Sequence, residues 1–79
     1  MSAAEEYMYK GMLAKFTQND SLKRTLLETG ENLICEANPN DKVWGVGLSL
    51  ANNEVFIEDK WKGRNLAGCL LQRVRELLK

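Results

Sequence analysis

The middle of this chain is rich in glycine and asparagine, yet it carries both tryptophans, Trp44 and Trp61. Glycine weakens helices and strands alike, so regular structure is left mainly to the two ends. Near the N-terminus, Met8, Met12 and Phe16 recur at i, i+4 and i+8, with Tyr9 and Leu13 on the adjoining row. That period predicts a helix over 4–17 with Glu5, Glu6, Lys10 and Lys15 on its other face. Gly11 costs it roughly 1 kcal/mol against alanine and implies close packing or a bend. Asn19, Asp20 and Ser21 are all good N-cap residues, and one of them starts a second helix. This helix carries Leu22, Leu26 and Leu27 and stops at Gly30, a residue suited to a left-handed helix end. From Gly63 onward, Leu66, Leu70, Val74, Leu77 and Leu78 line one side of a third helix. Arg73 and Arg75 read as surface residues, one of them pairing with Glu76 or Glu36. Between the helices, Leu33, Ile34 and Cys35 predict a short strand, and Val55–Ile57 is a candidate for another. "NPND" and "ANNE" are turn chemistry. The fold class expected is α+β, mostly α, in a single domain over residues 1–79: two helices, an irregular centre with short strands, and a long C-terminal helix.

At 79 residues the chain is near the lower limit for a self-sufficient core. Chains of this size bury only about 60% of their unfolded surface, so help from a partner chain or a ligand is expected. Basic and acidic residues balance at 11 each, which argues against nucleic-acid binding through bulk charge. There is no histidine, and Cys35 and Cys69 are far apart, so no metal-ligand pattern and no Cys-His or Ser-His pair exists. No metal and no cofactor are expected. Both cysteines read as buried thiols and the compartment as cytoplasmic. No apolar run reaches the length of a membrane span.

Two stretches carry chemistry. In "DKVWGVGLSL", residues 41–50, Gly45 and Gly47 would let a ligand approach the backbone, and Trp44 offers a face for stacking. Asp41 offers a carboxylate for a ribose hydroxyl or for acid/base work. The plainer reading is a turn in which Trp44 plugs a small core. In "KWKGRN", residues 60–65, Lys60, Lys62 and Arg64 gather before the third helix, whose N-terminal N–H groups make a ready anion site. The plainer reading there is a solvated charge cluster with Asn65 as an ordinary N-cap. Lys15, at the polar end of the first helix, either reaches a phosphate or lies exposed.

Read in order, these segments resemble the C-terminal half of the NADAR family, also called YbiA-like. The matches are Met8 or Met12, Lys15, Phe16, Gln18 and Asn19, then Leu26, Leu27, Thr29 and Gly30. Asp41, Trp44, Gly45 and Gly47 follow, and last come Trp61, Gly63, Asn65, Gly68, Val74 and Arg75. Ala67 stands where the family usually has leucine. The resemblance implies a mainly helical fold with short strands. It also implies an N-glycosidase, acting on phosphoribosylated pyrimidine intermediates of riboflavin biosynthesis or on ADP-ribosylated targets. Such a reaction needs a carboxylate near the anomeric carbon and anchors for phosphate. If the chain is active, Asp41 is the residue expected to serve as a polar or acid/base group, with Lys15, Trp44, Gly45, Gly47, Trp61, Gly63, Arg64 and Asn65 as ligand-binding residues.

Family members are about twice this long, near the ~150 residues common for a domain. Their N-terminal half resembles W-x-S-x-E and carries a glutamate thought to be catalytic; residues 1–14 do not match it. The expected partners are a nucleotide-sugar ligand and either further copies of the chain or a complementing chain, with no membrane. Nucleic acid is expected only as an ADP-ribosylated substrate. The alternative function is that of an inactive interaction protein, oligomerising or binding a partner through surface left by the missing half.

Overall fold

The computed structural model describes residues 1–79. It contains three α-helices, α1 (Ala3–Gln18), α2 (Asp20–Glu28) and α3 (Leu66–Leu78), with 3-10 turns at Asn53–Phe56 and Glu58–Lys60. The chain separates into two compact units, one of Met1–Leu33 with Leu70–Lys79, the other of Ile34–Cys69. No helix is long and apolar enough to cross a membrane.

In the first unit, local signals fix the helix ends. Ser2 Oγ accepts from the Glu5 N–H at 3.1 Å and starts α1, with Glu5 and Glu6 complementing the positive end of the helix. Asn19, extended at φ −132°, ends α1 and caps α2 by accepting from the Leu22 N–H at 3.1 Å. Gly30, at φ +62°, closes α2 as the sequence predicts. Leu26, Leu70 and Val74 are the buried apolar residues here. None of the side chains of α1 is buried. Its expected core stripe of Met8, Met12 and Phe16 is only partly covered, and the Arg73 guanidinium lies 5.6 Å from the centre of the Tyr9 ring.

Arg75 corrects the expectation of a surface residue. It is 4% exposed, and Nη1 donates to Thr29 Oγ1 at 2.8 Å and to the Asn32 carbonyl at 2.7 Å. It therefore braces the chain just after α2 instead of pairing with Glu76 or Glu36. Glu76 instead joins Glu31 around Lys79, at 2.7 Å and 2.5 Å. Those contacts hold Glu31 below the usual carboxylate range and raise Lys79 above the usual amine range.

The second unit contains no strand, and this corrects the α+β expectation to an α-rich fold. The physical reason lies in where the backbone bonds go. Around Leu33–Cys35 a strand would need a neighbouring backbone, but the Ile34 carbonyl and the Glu36 N–H are both taken by the Asn65 side chain. At Val55–Ile57, Asn52 Oδ1 accepts from the Glu54 N–H and turns the segment into a 3-10 helix. The core is built on Val46, Leu48 and Val55, with Cys35, Ala37 and Trp61 packed against it. Neither cysteine is buried as expected: Cys35 is half-buried and Cys69 is exposed.

Candidate functional site

Asp41 organises the loop that follows it. Its Oδ1 accepts from the Trp44 N–H at 2.8 Å and the Val43 N–H at 3.0 Å. This is the Asx turn for which aspartate is suited. Those donors, Trp44 first, hold the Asp41 carboxyl below the usual carboxylate range. A carboxylate stabilised in this way stays ionised at neutral pH and acts as a hydrogen-bond acceptor or an electrostatic partner, not as a proton donor.

The loop is joined to residues 62–67 by bonds running one way. The N–H groups of Lys62 and Gly63 both donate to the Val46 carbonyl at 2.8 Å, and that of Arg64 donates to Lys42 at 2.8 Å. Asn65 donates to Gly45, Leu66 to Val43 and Ala67 to Trp44, at 3.0–3.1 Å. A β-ladder exchanges donors and acceptors between strands; here one segment gives and the other receives. This arrangement also narrows the anion site expected at the start of α3. The N–H groups of its first two residues, Leu66 and Ala67, already bind the carbonyls of Val43 and Trp44 and are not offered to a ligand.

The glycines serve the same close approach. A Cβ on Gly63 would strike the Gly45 carbonyl and lie 2.7 Å from Lys42 Cα. Gly45 is buried, and a Cβ there would come 2.9 Å from the carbonyl oxygens of Asp41 and Glu36. Gly47 is also buried and takes φ +75°, a conformation that glycine adopts readily. The expectation that Gly45 and Gly47 leave backbone open to a ligand therefore gives way to chain-on-chain packing. Asn65, expected as a ligand anchor, is 2% exposed at φ +53°, and both ends of its amide are bound to backbone at 2.8–2.9 Å. Trp61 packs on the core and donates Nε1–H to the Val55 carbonyl at 2.8 Å.

Trp44, half-buried, and the exposed Arg64 remain as candidates able to meet a ligand. Two cations join them. Lys62 Cβ and Lys42 Cγ flank Gly47, 3.1 and 3.2 Å from the point its missing Cβ would occupy. Lys42, Lys62 and Arg64 are exposed, and none is in an ion pair. Lys42 escaped the sequence reading, because nothing in its spacing reveals that Gly47 brings it beside Lys62. Lys15 belongs to the other unit, where its ammonium lies 5.9 Å from the centre of the Phe16 ring.

Comparison with known proteins supplies the lineage of this arrangement. The N-glycosidase R617 of Acanthamoeba polyphaga mimivirus is 46% identical over 67 residues, covering 85% of this chain and 39% of that protein. Protein irg-1 of Caenorhabditis elegans is 39% identical over 75 residues, 95% of this chain and 35% of that protein. The N-glycosidase YbiA of Escherichia coli K12 is 35% identical over 77 residues, 98% of this chain and 41% of that protein. The chain thus spans about two fifths of the length of these curated relatives. No solved structure matches it. The NADAR domain matches residues 1–79, and the chain belongs to that family.

Proposed function

We propose that this chain contributes a ligand-binding portion of an N-glycosidase-type site, taking a phosphorylated ribose or an ADP-ribose-type molecule. The observation that carries the reading is the set of unpaired cations, Lys42, Lys62 and Arg64, gathered on the backbone bonds that anchor the Trp44 loop. Charge-assisted hydrogen bonds from such groups suit phosphate oxygens. Trp44 offers the flat face on which a base stacks. In the hydrolytic form of the reading, the bond between the anomeric carbon and nitrogen breaks through an oxocarbenium-like state, and water attacks that carbon. The ionised Asp41 carboxylate then serves by accepting from a ribose hydroxyl or by stabilising the developing positive charge. Proton delivery to the leaving nitrogen falls to a group other than Asp41. Two of the three relatives named above bear the name N-glycosidase, which supports the reaction class.

Titration with ADP-ribose, followed by tryptophan fluorescence, tests the reading. Saturable quenching is expected, weakened roughly tenfold by Lys62→Ala or Arg64→Ala and reduced by added salt. A flat fluorescence trace, together with no release of base from ribosyl-nitrogen substrates, removes the proposal.

A further inference from the structure

The first unit holds a groove of about 420 Å³, lined by Tyr7, Met8, Met12, Phe16 and Leu71, with Lys15 at its edge. Its floor includes Gly11. The sequence suggests close packing or a bend for this glycine, but a Cβ added there meets nothing within 4 Å. A helix-interior glycine facing open space weakens its helix with no packing return inside the chain. The second unit presents exposed apolar side chains. Leu50, Phe56 and Ile57 are 74%, 80% and 50% exposed. Their segment is held firmly: Val55 is buried in the core, the Trp61 indole binds the Val55 carbonyl, and Asn52 caps the turn. Glu54, Glu58 and Asp59 lie in the same segment, with Lys60 as its one cation; all are exposed and none is in an ion pair. Lys15, the one charged residue lining the groove, also has no acidic partner.

We propose that the chain self-associates head to tail, with Phe56 and its neighbours on one copy entering the groove over Gly11 on another. Exposed apolar side chains meet an apolar groove, and a segment with three carboxylates and one lysine meets the unpaired Lys15, so both terms favour this pairing over knob against knob. The contact is heterologous: each copy keeps a free knob or a free groove after one pairing, and association proceeds beyond two copies unless a ring closes.

Sedimentation velocity across a concentration series tests this with two variants and their mixture. Phe56→Ser removes the knob at an exposed position. Gly11→Leu fills the groove at a site with open space and should raise helix content, so a loss of association cannot be blamed on unfolding. The wild type is expected to grow in mass with concentration, and each variant alone to stay monomeric. An equimolar mixture should form a discrete dimer, because one variant retains the groove and the other the knob. A wild type that stays monomeric at its highest soluble concentration overturns the proposal. So does Gly11→Leu associating as well as wild type, or a mixture that fails to pair. The readout is mass, so it stands apart from any result with ADP-ribose.

Discussion

At the scale of single residues, Asp41 separates two roles that are easily confused. Its Oδ1 builds the turn, and its charge is available to a ligand. Asp41→Asn keeps an acceptor for the Val43 and Trp44 N–H groups, whereas Asp41→Ala removes it. The melting temperature is therefore expected to change little in the first variant and to fall by several degrees in the second. If the charge serves the ligand, ADP-ribose affinity drops in both. Calorimetry and fluorescence titration on the same samples check this, and unchanged affinity in Asp41→Asn would confine the residue to the turn. The pH dependence follows from the direction of its shift. A carboxyl with a depressed folded pKa contributes stability above its unfolded value, near 3.9 for aspartate, and that contribution is lost as pH falls through the folded value. The acid limb of a stability–pH curve should therefore be shallower in Asp41→Asn than in wild type. How much of this was legible in the sequence differs by residue. Asp41 and Trp44 stand out by type and spacing, so their neighbourhood could be named early. Arg75 could not be placed, because an arginine beside a glutamate on a terminal helix looks solvated. Only the loop at Thr29–Asn32, folded back on it, shows otherwise.

At the scale of elements, the helices were readable because their ends are local events. Asn19 and Gly30 act within a few residues of themselves, and each does so here. The expected strands failed for a nonlocal reason: Asn65, about thirty residues away in sequence, takes the backbone partners that a strand would use. The same bonds yield two stability predictions. Asn65→Ala removes the two bonds that its amide makes, to the Ile34 carbonyl and from the Glu36 N–H, and places a residue without a polar side chain at φ +53°. A loss of about 2–4 kcal/mol is expected from the two part-buried hydrogen bonds removed. Gly63→Ala drives a methyl group into the Gly45 carbonyl, and about 1–3 kcal/mol of overpacking cost follows. Urea denaturation measures both. A Gly63→Ala protein with an unchanged midpoint would show that residues 42–46 and 62–67 are not held as closely as described.

At the scale of the whole molecule, the two units should differ in how they open. An isolated helix of 16 residues is marginal in water, and α1 buries none of its side chains. The helix is therefore expected to lose its hydrogen bonds in local fluctuations that leave the rest intact. In the second unit, the N–H groups of Lys62, Gly63, Arg64, Asn65, Leu66 and Ala67 all end on carbonyls of the Trp44 loop, over a core of Val46, Leu48 and Val55. Those amides can exchange only when loop and segment part together. Hydrogen exchange on dilute protein should thus show α1 amides exchanging first and the amides of residues 62–67 markedly later. Adding ADP-ribose sharpens the comparison, since a ligand that binds only the closed form slows opening in proportion to its occupancy. Amides at 43–47 and 62–67 should gain protection. If protection instead appears across both units in equal measure, the ligand is stabilising the fold at large, and the assignment of Lys42, Lys62 and Arg64 as its anchors fails.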